Sequence, residues 1–198
     1  MMNFIISILN DLKKMKIENL IAFVLLIILC PFLVLIILLI KLDTKGPALF
    51  WSKRYGFNKK IFFMPKFRSM IISAPVSSTQ TFKNPDLYIT SIGRIIRKTS
   101  IDEIPQLWSI VTGEMSFIGP RPLLSTEKKL LSEREKFEGN NLKPGITGWA
   151  QINGRDSNSP KKKIEHEKFY IKNRSIILNI KIILKTFTIL LNFKNITH

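Results

Sequence analysis

The chain has 198 residues and carries 31 Lys and Arg against 14 Asp and Glu, a formal charge of +17. Its single cysteine, Cys30, excludes an internal disulfide, and with two histidines no metal-type Cys/His cluster can form. The length suits one domain plus a membrane element; the charge suits nucleic acid, anionic lipid or a phosphorylated substrate without choosing among them.

No charge interrupts positions 19 to 40, a run of 22 residues (NLIAFVLLIILCPFLVLIILLI). About 20 apolar residues suffice to cross the hydrocarbon layer. The run is too long for a cleavable signal, and no small-residue cleavage site follows it. Pro31 near its middle removes a helix hydrogen bond and predicts a kink. Lys13, Lys14 and Lys16 precede the run and Lys41 and Lys45 follow it, so both ends ask for the cytoplasmic side. A helix broken at Pro31 that enters and leaves one face satisfies both ends; a kinked single span is the alternative.

Lys45-Gly46-Pro47 reads as a turn, followed by a short strand at ALFW. Gly56 and Asn58, among Lys53, Arg54, Lys59 and Lys60, mark a hairpin turn. IFFMPKFRSM then mixes aromatics with Lys66 and Arg68, which suits a phosphate-binding strand edge, a membrane-surface patch or a solvated basic face. Ser73 to Asn84 reads as a mobile loop.

Arg97 to Pro122 is the densest stretch: RKTSIDEIPQLWSIVTGEMSFIGPRP. Ser100 and Glu103 have the form of a capping box, which predicts a helix start with Asp102 and Glu103 in its first turn. Such a turn attracts anions and can hold a phosphate. Acidic residues there also serve simply as caps opposing the dipole.

Beyond Arg121, the stretch STEKKLLSEREKF predicts a charged helix near Thr126 to Phe137, whose charges mostly serve solubility. LKPGITGWAQINGR follows, with Pro144, Gly145, Gly148 and Gly154 implying tight backbone packed against something. Another helix begins at Lys161 to Lys163 and runs past Glu165 and Glu167 to Tyr170. A catalytic histidine is possible only at His166, for which a satisfied or surface position is the ordinary account. In the C-terminal SIILNIKIILKTFTILLNFKN, the residues Lys181, Lys185, Thr188 and Asn192 recur at spacings of 4, 3 and 4, one narrow polar face. This fits a helix in the membrane interface with its lysines toward headgroups, the alternative being a core-facing helix.

Five pieces in this order, KLDTKGPALF, KFRSM, IGRIIRKTSIDEIPQLWSIVTGEMSFIGPRP, KPGITGWAQINGR and FYIKN, resemble the small monotopic polyprenyl-phosphate phosphoglycosyl transferases, the bacterial sugar transferase family. The resemblance runs from about Leu20 to Thr186. It implies an α+β fold, mainly helical with a short β-hairpin. Residues 1–42 would form a membrane-inserted re-entrant helix. Residues 43–198 would form a cytoplasmic catalytic domain with an interfacial amphipathic C-terminal helix. In the family the membrane helix breaks at a Ser-Pro pair; here the pair is Cys30-Pro31, and a thiol is the weaker hydrogen-bonding partner. Asp102 matches the family's nucleophile and Glu103 its partner, with Mg²⁺ on these two carboxylates. Arg97 and Arg121 match phosphate-side contacts, and Lys66 and Arg68 stand with them as substrate-binding candidates. Glu114, Glu167 and Asn179 stand where the family often has Asp.

The implied reaction transfers a phosphosugar from a nucleotide-diphosphate sugar, a UDP-sugar above all, to undecaprenyl phosphate. It would run through a covalent aspartyl intermediate at the cytoplasmic face of the bacterial inner membrane. The competing class is a non-enzymatic basic protein that binds anionic lipid or nucleic acid, but no recognised nucleic-acid module is present, and that class leaves the carboxylate dyad without a purpose. An inactive family member acting as a scaffold is a third class, which the intact Arg97, Asp102, Glu103 and Arg121 argue against.

Overall fold

The computed structural model describes residues 16–75, 85–154 and 159–191. Outside them lie Lys13 and Lys14 of the basic flank, positions 76–84 of the Ser73–Asn84 loop, Arg155, Asn192 of the polar stripe, and His198. The described chain is mainly helical with little sheet.

The first helix, α1 (Ile17–Asp43), is one continuous element that passes through Pro31. It alone among the described helices is long and apolar enough to cross a membrane. Ala22, Leu26, Leu29, Leu33, Ile36 and Ile40 pack inward against the rest of the chain. Their spacings of 4, 3, 4, 3 and 4 trace a single helix face. An all-apolar run gives no sequence signal for that face. The remaining faces leave Phe23, Ile27, Ile28, Phe32, Leu35 and Leu38 exposed.

Both ends of α1 are tied to the same globular body. The Asn19 side chain donates to the carbonyls of Ile110 (2.5 Å) and Val111 (3.2 Å). Ser116 donates to Glu18 at 2.7 Å. At the other end Arg68 donates to the carbonyls of Thr44 (2.8 Å) and Lys45 (2.6 Å) and to the Thr44 hydroxyl. These are orphan carbonyls at a helix C-terminus, where a buried guanidinium is a well-matched partner.

The hairpin forms as the sequence predicts, with longer strands. β1 (Leu49–Tyr55) pairs antiparallel with β2 (Ile61–Phe67) through a turn in which Asn58 and Lys59 take positive φ. Alternation places Phe50, Ser52 and Arg54 on the face shared with Phe62, Met64 and Lys66, and that face looks onto the core and the site. Two small additions complete the sheets. β4 (Leu123–Leu124) pairs with the other edge of β1, and β3 (Ser116–Ile118) pairs in parallel with β5 (Gly145–Thr147).

Between β2 and β3 lie α2 (Ser91–Lys98), a 3-10 segment (Ile101–Gln106) and α3 (Leu107–Val111). The predicted capping box does not form. Ser100 takes the left-handed conformation (φ 57°) and its side chain does not cap the following turn. The main chain bonds instead, Glu103 N–H donating to Ser100 O at 3.1 Å and Ser100 N–H to Arg97 O at 3.0 Å. Pro105 explains the tight 3-10 geometry: it cannot donate to a regular helix ladder.

The C-terminal third holds α4 (Lys128–Glu135), the short α5 (Trp149–Ile152), α6 (Pro160–Asn173) and α7 (Ile176–Leu191). α6 starts with Ser159 accepting from Lys162 N–H and Pro160 in the first turn. Ile152, Tyr170 and Ile182 form the core between these helices. Burial pushes the Tyr170 hydroxyl up from its ordinary value. It stays protonated and donates to Asn179 Oδ1 at 3.1 Å.

α7 packs on the protein through Leu178, Ile182 and Ile189, and the lysines of its polar stripe stay exposed while reaching neighbouring groups. Lys181 sits 5.8 Å from the Trp149 ring centroid, Lys185 donates to Asn153 at 2.9 Å, and Thr186 meets Thr147 at 2.7 Å. Beside them the exposed surface of α7 is largely apolar: Ile176, Ile177, Ile180, Leu184, Phe187 and Leu191.

Candidate active site

The strand and turn elements converge on a cavity of about 400 Å³. All six candidate residues reach its wall: Lys66 and Arg68 from the end of β2, Arg97 from α2, Asp102 and Glu103 from the 3-10 segment, and Arg121 from the turn after β3. Five cationic side chains, Arg54 being the fifth, face two carboxylates. Such a wall suits a ligand with several negative charges.

Asp102 and Glu103 are adjacent but differently placed. Asp102 is buried, at 6% exposure. Glu103 accepts from Lys66 at 2.9 Å, and both side chains keep less than a fifth of their exposure. Partial burial shields this pair from screening by salt, at the cost of desolvating both charges. The left-handed Ser100 lies two residues before Asp102, and strained backbone of this kind clusters at functional turns.

Arg68 lines the cavity, yet both its terminal nitrogens are committed to the exit turn of α1. His166 is not among the lining residues of the cavity. Among the described residues no group of three or more His, Cys, Asp or Glu converges as a metal site.

Sequence reasoning missed Arg54. Its Nε donates to Ser52 at 2.9 Å and its NH1 to the Pro122 carbonyl at 3.1 Å. Period-2 alternation along β1, which places it with Ser52 and Phe50, was the available signal.

The Gly-rich motif packs against the site from behind. A Cβ on Gly145 would stand 2.1 Å from Gly119 N, and one on Gly148 would stand 2.1 Å from Gly119 O. Glycine is required there by close approach of two backbones. Gly119 N–H donates to Thr147 O (3.0 Å) and Gly145 N–H to Pro120 O (2.9 Å). These bonds fix the Gly119-Pro120-Arg121-Pro122 turn.

Residues 9–193 match the family described as bacterial sugar transferase. The chain belongs to this family. It is 42% identical over 190 residues to the undecaprenyl-phosphate glucose phosphotransferase of Komagataeibacter xylinus, covering 89% of this chain and 35% of that protein. To the UDP-N-acetylgalactosamine-undecaprenyl-phosphate N-acetylgalactosaminephosphotransferase of Aeromonas hydrophila it is 37% identical over 169 residues, 82% of this chain and 40% of that protein. The uncharacterized sugar transferase EpsL of Bacillus subtilis (strain 168) is 40% identical over 150 residues, 76% of this chain and 73% of that protein. The chain therefore spans well under half of the first two relatives and most of the third.

Proposed function

We propose that the chain transfers a sugar 1-phosphate from a UDP-sugar to undecaprenyl phosphate, as the initiating step of bacterial surface glycoconjugate assembly. The observation that carries this reading is the convergence of Asp102, Glu103, Arg97 and Arg121 on one cavity, beside the exit of the apolar helix. The relatives' names support the acceptor and the nucleotide-activated donor; because they differ between glucose and N-acetylgalactosamine, the sugar is left open.

In this reading a carboxylate oxygen of Asp102 attacks the sugar-linked phosphorus. The bond from that phosphorus to the bridging oxygen breaks, and UMP leaves with the electron pair. An oxygen of the lipid phosphate then attacks the same phosphorus and displaces the Asp102 carboxylate. The product is a lipid diphosphate sugar. Covalent catalysis divides one difficult displacement into two easier ones. Arg97 and Arg121 serve as donors to the phosphate oxygens. Lys66 holds Glu103 in place and adds positive charge, whereas Arg68 belongs to the α1 exit turn.

Two adjacent carboxylates next to a diphosphate fit Mg²⁺, which takes one or two protein carboxylates and completes its shell with phosphate oxygens and water. Asp102 and Glu103 would hold it, and it would neutralise charge on the diphosphate.

Residues 1–42 act as the anchor and 43–198 as the catalytic part, at the cytoplasmic face of the inner membrane. Although α1 continues through Pro31 without the break expected there, the ties from both its ends to the same body support a placement with both ends on one face of the membrane. The outward apolar face of α7 supports its lying in the interface. The test is UMP release from membranes carrying the protein, with a panel of UDP-sugars, with and without added undecaprenyl phosphate. Release with at least one donor is expected; its absence with every donor contradicts the reading.

A further inference from the structure

Arg134 on α4 and Glu167 on α6 keep only 4% and 5% of their exposure. Neither is among the lining residues of the cavity. Arg134 Nε donates to Glu167 Oε2 at 2.7 Å, and its NH2 donates to Glu167 Oε1. The same NH2 donates to the main-chain carbonyl of Arg121 at 2.7 Å. Taking two charges out of water is costly, and a buried pair seldom repays that cost in stability. What a planar, bidentate fork does supply is fixed geometry.

That geometry is spent on one turn. The carbonyls of Pro120, Arg121 and Pro122 are taken in succession by Gly145 N–H, by Arg134 and by Arg54. The flanking prolines fix their own φ. The root of the Arg121 side chain is therefore held from three separate parts of the chain. Arg134 is itself locked by a charged partner, Glu167.

We infer that the Arg134–Glu167 pair is a positioning device for Arg121. Glu167 locks the fork of Arg134, and Arg134 fixes the peptide from which the Arg121 guanidinium reaches the cavity. The inference rests on Arg121 being a donor-phosphate contact, as in the reading above. A charged helix whose residues ordinarily serve solubility thus places one buried arginine behind the active site.

The test is a double-mutant cycle on the full chain in membranes, read as kcat/KM for the UDP-sugar. Arg134→Lys keeps the charge but lacks the fork, and Glu167→Gln keeps the shape but lacks the charge. Each is expected to lower kcat/KM by about tenfold in the otherwise native protein. In an Arg121→Ala background each is expected to change it by less than about twofold, because residues acting through one another are non-additive. A general structural role would multiply the losses in both backgrounds, and that result overturns the inference alone. Undiminished activity of Arg121→Ala overturns both the inference and the phosphate role of Arg121. Thermal melting of each variant accompanies the kinetics; if Arg134→Lys does not fold, the cycle with Glu167→Gln decides.

Discussion

Gly145→Ala probes the link between the Gly-rich motif and the site. The new Cβ would stand 2.1 Å from Gly119 N, 2.5 Å from Thr147 O and 2.6 Å from Ile118 C, all main-chain atoms. Ordinary contact begins at 3.4 Å, so the two backbones must separate by about 1.3 Å to admit one methyl group. The atom that must retreat belongs to the turn that carries Arg121. Overpacking of this kind costs about 1–3 kcal/mol of stability. A misplacement of about 1 Å in a group that positions substrate costs on the order of a hundredfold in rate. Gly113→Ala is the control: φ is +81°, but the nearest atoms are side-chain ends at 3.5 and 3.6 Å. It should lose about 1–2 kcal/mol from left-handed strain while leaving turnover intact. UMP release and thermal melting on both variants separate the two effects. Gly145→Ala with turnover within twofold of native would refute the claim that β3–β5 contact positions the turn.

Lys66→Met should remove one positive charge from the cavity wall and the ion pair that holds Glu103, and reduce UMP release at least about tenfold; full activity would remove Lys66 from the site. Asn19→Ala should lower Tm by several degrees, through the loss of two bonds to α3 carbonyls worth about 1 kcal/mol each; an unchanged Tm would detach α1 from the body. On α7, Ile182→Ser should destabilise the fold by about 2–5 kcal/mol because Ile182 is wholly buried. Phe187→Ser, on the outward face, should leave Tm unchanged and weaken membrane retention in high-salt washes. The opposite pattern would reverse the assignment of the two faces.

The long apolar helix, the hairpin and the existence of the helix at Pro160–Asn173 were legible in the sequence, the first two through an uncharged run and a glycine turn. The packed face of α1 was not, since every position there is apolar and periodicity carries no information. The 3-10 segment at Ile101–Gln106 was hidden by a capping-box pattern that Pro105 and the left-handed Ser100 override. The contacts of the α7 lysines with Trp149 and Asn153 had no trace in the stripe itself, because they depend on residues about 30 positions away. Arg134 looked like one charge among many on a solvated helix. Its burial depends on Glu167, 33 positions away, a contact with no local trace.

The central claim is that Asp102 carries the sugar phosphate between donor and lipid. The direct measurement is mass spectrometry of the acid-quenched, digested protein after incubation with a UDP-sugar and Mg²⁺ in the absence of lipid acceptor. The account predicts a phosphosugar on the peptide containing Asp102, one UMP released per active site before lipid is added, and neither in Asp102→Asn. UMP appearing only when lipid is present, with no adduct on that peptide, would contradict it and favour direct displacement by the lipid phosphate.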